Sequence, residues 1–204
     1  MSTVTASDVK ALRERTGAGM MDCKGALAEA DGDLDKAIEI LRVKGQASAA
    51  KRSGRSTSEG VVSSYIHATG TVGAMVEVQC ETDFVARTDE FRDFAREIAL
   101  HVAGAPTPPL YVSTDQIADS DRDAERSVHE QKARESGKPD DVIDKIVSGQ
   151  VGKWEKEIAL LEQEHINSER YEGKTIGELR EEIATKTGEN VRIARFARFV
   201  VGED

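Results

Sequence analysis

The sequence predicts an α+β fold, in which a small three-helix bundle precedes a domain built on a three-stranded antiparallel sheet. Within residues 1–45, three short segments carry apolar residues at helical spacing. Two adjacent segments and one later segment are rich in β-branched residues, which favour strands. The segments between those strands have helical spacing, so helices and a helical hairpin are expected to cover the sheet.

The bundle is predicted from helix-end signals as well as spacing. Thr5 and Asp8 have the spacing of a capping box, and Gly17 supplies a stop after the first helix. The predicted helices span residues 6–16, 21–30 and 34–45. Three short helices in a segment of this length are similar to a ubiquitin-associated (UBA) domain. Residues 46–58 lose apolar bulk and are predicted to form a linker, which could be helical in its first half.

Residues 59–204 are predicted to form the α+β domain. Its predicted elements are strands over 61–67 and 71–79, a helix from Thr88, a helical hairpin over 115–165, a helix opened by Thr175 and a strand over 191–201. Within the hairpin, Gly149 is expected to interrupt the second helix, and Trp154 is expected to lie in the core.

Composition excludes several classes of protein. A net charge of -10 over 204 residues argues against direct nucleic-acid binding, which favours a basic face. No stretch approaches the ~18 apolar residues of a membrane span, and no signal peptide is evident, so a cytoplasmic protein is expected. In that reducing compartment, a disulfide between Cys23 and Cys80 is not expected.

No string of residues indicates an enzyme. GxSxG, HExxH and Walker A motifs are absent from the sequence, and its carboxylates fall mostly on charged helical faces. No closely spaced Cys/His pair indicates a metal site. The sequence therefore predicts no catalytic residue, cofactor or metal, and favours a protein that acts by binding a partner.

The segment Glu77–Arg87, EVQCETDFVAR, connects a predicted strand to a predicted helix. Asp83 and Phe84 would therefore lie on a loop held at both ends, and such loops often bind partners. The alternative is that Phe84 folds into the core while Asp83 caps the next helix.

The glycine-rich turn TGAGMM leaves three interpretations open. It lacks the spacing and lysine of a phosphate-binding P-loop. It could be a tight connection between helices, or it could expose Met20 and Met21 as adaptable apolar contacts for a partner.

Two of these strings together resemble a known family. EVQCETDFVAR, and LRERTGAGMMDCKGAL at Leu12–Leu27, are similar to the two signature segments of the elongation factor Ts family. The resemblance extends through SGKP at Ser136–Pro139 and GEN at Gly188–Asn190, so it covers essentially the whole chain. One departure is Gln163-Glu164-His165, where the family commonly has Gln-Pro-aromatic.

The resemblance implies a guanine-nucleotide exchange factor that binds elongation factor Tu and promotes GDP release. Phe84 would be the wedge, Asp83 would act beside it in displacing Mg²⁺, and Thr82 and Val85 would shape the loop. The other family positions at the partner contact correspond to Lys10, Arg13, Met20, Met21 and Gly188.

A further match concerns His67 and oligomeric state. Tyr65-Ile66-His67 resembles a segment that long members of the family carry in a second core subdomain, whose histidine contacts elongation factor Tu. This chain has room for one such subdomain, so the resemblance implies a homodimer, with a sheet edge or the strand over 191–201 in the interface. His67 could instead be an ordinary exposed hairpin histidine.

A different class of function remains as the alternative. A UBA-type binding module fused to an oligomerising α+β domain would serve as an adaptor. An adaptor that binds through its N-terminal bundle should tolerate the loss of Phe84, whereas an exchange factor should not.

Overall fold

A computed structural model describes residues 4–137 and 139–203, with the backbone alone for residues 46–50, 140 and 141. Lys138, part of the SGKP match, lies outside the described residues. The α-helices and strands are α1 (Ala6–Thr16), α2 (Met20–Glu29), α3 (Leu34–Arg52), β1 (Glu59–Ile66), β2 (Val72–Cys80), α4 (Asp83–Ala86), α5 (Asp89–Gly104), α6 (Asp119–Glu135), α7 (Asp140–Ile158), α8 (Ser168–Tyr171), α9 (Ile176–Thr187) and β3 (Arg192–Val200). The predicted α+β fold is confirmed, with an antiparallel sheet of strand order β1-β2-β3.

The first helix begins and ends at the predicted signals. The hydroxyl oxygen of Thr5 accepts the backbone N–H of Asp8 at 3.2 Å, and the Asp8 carboxylate accepts the N–H of Thr5 at 3.0 Å. Gly17, with φ of 68°, then ends α1 in the left-handed region. The bundle core contains Val9, Leu12, Ala18, Cys23, Ala26, Leu27, Ala30, Ala37 and Leu41.

The third helix is longer than predicted. Gly45 was expected to end it, but α3 continues to Arg52. A glycine inside a helix costs only about 1 kcal/mol relative to alanine, and the alanines that follow favour the helix. The first part of the predicted linker over 46–58 is therefore helical, while the division into domains at that linker stays a prediction.

The sheet buries alternate residues, as expected when one face packs on a core. The hairpin of β1 and β2 is closed by a hydrogen bond in which the His67 N–H donates to the Val72 carbonyl at 2.8 Å. In β2, Ala74, Val76 and Val78 are buried while Met75 between them is half exposed.

The predicted helical hairpin is formed by α6 and α7, whose packing buries Ala133, Ile143, Val147 and Val151. The predicted interruption at Gly149 is wrong, because α7 runs without a break through that residue. Trp154 is only partly buried, so its expected place in the core is also wrong. A helix lying partly in solvent tolerates both features.

The chain divides into two compact units that are discontinuous in sequence. One contains the chain up to Ser63 together with Val76–Glu97 and Glu178–Ala194, and the other contains Ser64–Met75, Ile98–Gly177 and the residues from Arg195 onward. Among the described residues, no helix is both long enough and apolar enough to cross a bilayer.

Candidate partner-binding site

The segment Thr82–Val85, here called the TDFV segment, is a capped helical turn rather than the irregular loop that was predicted. Thr82 is the N-cap of α4, and its hydroxyl oxygen accepts the backbone N–H of Val85 at 3.4 Å. Short polar side chains such as threonine favour this position because they satisfy an N–H that the helix leaves free. Ala86, at the end of the turn, is buried and fixes it to the protein.

The turn is also fixed at its carboxyl end. The Thr88 hydroxyl donates to the Val85 carbonyl at 2.8 Å, and the same oxygen accepts the N–H of Phe91 at 3.3 Å. Phe91 is fully buried at the start of α5. Thr88 therefore links the turn to a helix that is anchored in the core.

Phe84 projects from this anchored turn into solvent. It is 81% exposed, the highest value among the large exposed hydrophobic side chains of the described residues. The alternative in which Phe84 packs in the core is excluded. Burying such a side chain contributes roughly 1.5–3 kcal/mol, and folding of this chain leaves that contribution unused.

Asp83 lies beside the exposed ring at the first position of α4. Its carboxylate forms an ion pair with Arg87 at 2.8 Å, one helical turn away. Because both side chains are substantially exposed, the pair contributes little to stability, about 0–1 kcal/mol. Asp83 can therefore exchange Arg87 for another partner at small cost.

Glu189 holds the start of the TDFV segment from a distant part of the sequence. One oxygen of its carboxylate accepts the backbone N–H groups of Glu81 and Thr82, and the other accepts the Thr82 hydroxyl. Glu189 belongs to the GEN match, but its contact with Thr82 was not predicted. No local pattern reveals a pairing between residues 107 positions apart.

The N-terminal bundle presents a second group of exposed side chains, in the same compact unit as the TDFV segment. Met20 and Met21, at the first turn of α2, are 59% and 77% exposed. TGAGMM is thus both a short connection between α1 and α2 and a segment that exposes these methionines, and their role as partner contacts stays a prediction. Lys10 and Arg13 lie exposed on α1. The Nζ of Lys10 is 3.8 Å from the Oε1 of Glu14.

Two further predicted contact residues sit at the ends of elements. Gly188 follows α9 with φ of 74°, a backbone conformation that disfavours residues with a side chain. His67 follows β1 at the tip of the hairpin, is exposed, and lies 3.3 Å from the Tyr65 hydroxyl through its Nδ1. His67 belongs to the other compact unit.

The two cysteines are both buried and unpaired. The buried Cys80 thiol donates a hydrogen bond to the Thr82 carbonyl at 3.2 Å, so it also holds the TDFV segment in place. Burial, aided by the negative charge of Glu189, raises the pKa of the Cys80 thiol to about 11. Among the described residues, no cluster of three or more potential metal ligands occurs.

Comparison with known proteins gives a consistent result. The family model described as "Elongation factor TS" matches residues 6–203. Elongation factor Ts of Desulfosudis oleivorans is 50% identical to this chain over 203 residues, which cover 100% of this chain and 100% of the relative. Elongation factor Ts of Caldanaerobacter subterraneus subsp. tengcongensis is 51% identical over 200 residues, covering 98% of each. Because the family model spans nearly the whole chain and both relatives are about half identical to it from end to end, the chain belongs to the elongation factor Ts family of translation factors.

Proposed function

We propose that this chain is a guanine-nucleotide exchange factor that binds elongation factor Tu in its GDP form and promotes release of GDP. The observation that carries the proposal is the 81% exposure of Phe84 on a turn fixed at both ends. A large apolar side chain exposed on an anchored turn is poised to enter a partner, since little ordering of the backbone is needed on binding.

The proposed mechanism changes the partner and not the chemistry of the nucleotide. Bound GDP is held through phosphate contacts and a Mg²⁺ ion. Phe84 wedges between elements of the partner, and burial of its ring supplies roughly 1.5–3 kcal/mol toward moving the groups that hold the phosphates. Asp83 acts beside it in displacing Mg²⁺, while Thr82 and Val85 set the shape of the turn. GTP then binds the emptied site.

The exchange reaction needs no catalytic residue or cofactor in this chain, because no covalent bond changes. It must also be reciprocal: if binding of this chain weakens GDP by a given factor, GDP weakens binding of this chain by the same factor. By the same linkage, rebinding of a nucleotide to the emptied site weakens binding of the factor and releases it.

The remaining contacts are proposed to dock the partner. Met20 and Met21 offer flexible apolar side chains that adapt to a partner surface, and Lys10 and Arg13 add positive charge on α1 of the same bundle. His67 and Gly188 are proposed as further contacts. The adaptor alternative would also use the methionines, but it gives no role to an exposed Phe84.

We further propose that the protein is a homodimer formed through the sheet. Ile66, Met75, Phe199 and Val201 are 71%, 50%, 68% and 75% exposed. Alternation along the strands places these apolar residues on the face of the sheet opposite the buried residues of β2. A contiguous exposed apolar face of this kind commonly marks an interface between proteins.

The decisive experiment is release of a fluorescent GDP analogue from purified elongation factor Tu, measured by stopped flow with increasing amounts of this protein. Wild type should accelerate release, and Phe84→Ala should lose most of that acceleration while keeping its thermal stability. Asp83→Ala should show an intermediate loss. Leu110→Ala, which removes a side chain that is 64% exposed elsewhere, serves as the matched control and should behave as wild type.

Two outcomes would count against the proposal. If wild type gives no acceleration at micromolar concentration, the exchange function is wrong and the adaptor alternative is favoured. If Phe84→Ala accelerates release as wild type does, Phe84 is not the wedge.

A further inference from the structure

We propose that Glu189 is the positioning residue that aims Phe84, acting through the hydroxyl of Thr82. This inference rests on the proposed exchange function, because it assigns a role in orienting the wedge. Its structural basis is a set of hydrogen bonds that joins the GEN and TDFV motifs within one compact unit.

The Glu189 carboxylate makes three hydrogen bonds to the two residues that precede α4. Its Oε2 accepts the backbone N–H of Glu81 at 2.9 Å and that of Thr82 at 3.1 Å. Its Oε1 accepts the Thr82 hydroxyl proton at 2.6 Å, a short distance typical of a charged acceptor. The backbone and side chain of Thr82 are therefore both held by one group.

The Thr82 hydroxyl transmits this hold to the turn. A threonine hydroxyl has one proton, and here that proton is directed to Glu189, which leaves the oxygen lone pairs to accept the N–H of Val85. Donation to a negative charge also polarises the hydroxyl and strengthens it as an acceptor. Glu189 thus fixes the direction of the N-cap, and the N-cap fixes α4.

A reciprocal carboxylate contact holds the same two segments together. The Glu81 side chain accepts the backbone N–H of Asn190 at 2.6 Å and contacts the Arg55 guanidinium at 3.3 Å. The Asn190 amide in turn donates to the Arg55 carbonyl at 3.0 Å. Each segment therefore contributes one acidic side chain to the backbone of the other.

The turn depends on these contacts because it has little stability of its own. A helix of one turn is unfavourable in isolation, and Phe84 at 81% exposure has no packing that would orient its ring. The direction of the wedge must therefore be set by the backbone from Thr82 to Ala86. At its amino-terminal side, that backbone is held by Glu189.

The first test compares Glu189→Ala and Glu189→Gln with wild type in the GDP-release assay over a range of factor concentrations. Glu189→Ala should lower the maximal release rate about tenfold or more, because three hydrogen bonds to the residues that precede the turn are lost. The half-saturating concentration should change much less, since docking through the bundle is retained. Glu189→Gln keeps one oxygen acceptor but replaces the other with a donor, so its rate should be intermediate.

A double variant separates positioning from a general structural effect. If Glu189 acts through Phe84, adding Glu189→Ala to Phe84→Ala should change the residual rate by less than about twofold, because coupled residues are not additive. Multiplication of the two single effects would overturn the inference. Glu135→Ala, which removes an exposed carboxylate that accepts a hydrogen bond from Gln131, is the matched control.

A second measurement does not require the partner. Amide hydrogen exchange at Val85 and Arg87 should be faster in Glu189→Ala, while exchange within the bundle core and the melting temperature should stay close to wild type. Unchanged exchange at both amides would overturn the inference even if nucleotide exchange is confirmed. If wild type does not accelerate GDP release, the proposed function is contradicted, but the hydrogen-exchange result at Val85 and Arg87 still stands.

Discussion

Among single residues, the buried histidine His101 is expected to make folding sensitive to acid. A second buried histidine, His165, lies next to it. The Nδ1 of His101 accepts the N–H of Ile166 at 3.0 Å, and its Nε2 lies 2.9 Å from the Gln163 side-chain oxygen. A ring that accepts through Nδ1 is neutral and carries its proton on Nε2. His165, where the family commonly has an aromatic residue, packs edge-on against Tyr171 with ring centroids 4.3 Å apart.

We predict that this protein loses stability as the pH falls below about 6.5. Burial, and to a lesser extent the proximity of His165, lowers the pKa of His101 from its ordinary value of 6.5. The unfolded chain therefore binds a proton at a pH where the folded chain does not. The stabilisation is complete above 6.5 and is lost progressively below it, by up to ~1.4 kcal/mol per pH unit for one proton. Denaturant unfolding between pH 5 and 8 measures the slope.

The matched variants assign that slope to His101. His101→Asn keeps an acceptor near the Nδ1 position but does not titrate, so its stability should depend less on pH. His67→Asn, which removes an exposed histidine, is the matched control. Equal slopes in wild type and His101→Asn would show that the acid sensitivity originates elsewhere.

The residues of the candidate site differ in how far sequence could reveal them. Phe84, Met20 and Met21 were identified from signature strings, and their exposure agrees with the interpretation of these residues as contacts. Glu189 was visible only as part of a short match. Its role depends on hydrogen bonds between segments that meet only in the folded protein.

At the scale of elements, α7 offers a direct test of helix propensity. Gly149 lies in the helix interior, is exposed, and has nothing within 4 Å of the position a Cβ would occupy. We predict that Gly149→Ala stabilises the protein by about 0.5–1 kcal/mol, because glycine loses more backbone entropy in a helix. Thermal or denaturant unfolding measures the gain.

The control for that prediction is a glycine whose conformation differs. Gly188→Ala also meets open space, but φ of +74° makes alanine strained there, so this variant should destabilise. A loss of stability in Gly149→Ala would mean that the helix needs its glycine for a reason other than propensity.

Elements were predictable where a local signal agreed with tertiary packing. The capping box of Thr5 and Asp8 and the stop at Gly17 reproduced α1 at both ends. Gly45 and Gly149 failed as stops because their neighbours favour helix and no φ > 0 is required at either position. The TDFV segment was predicted as a loop because a single capped turn is too short to show helical periodicity.

For the whole molecule, the testable property is association through the exposed face of the sheet. We predict that Phe199→Asp shifts the protein from dimer to monomer, because a carboxylate would be buried without a partner in an apolar interface. Sedimentation equilibrium measures the mass directly. Val128→Asp, which places the same charge at a side chain that is 44% exposed on α6, should leave the mass unchanged. A wild-type protein that is monomeric at all concentrations would refute the proposed dimer.

The contact between Glu189 and Thr82 also determines when this part of the site can form during synthesis of the chain. During synthesis, Thr82 leaves the ribosome 107 residues before Glu189 does. At the ~5–20 residues per second typical of translation, several seconds separate the two events. Throughout that interval, Phe84 is already part of the chain, but the hydrogen bonds between Glu189 and Thr82 cannot form. If Phe84 acts as proposed, its orientation would therefore be set only late in synthesis.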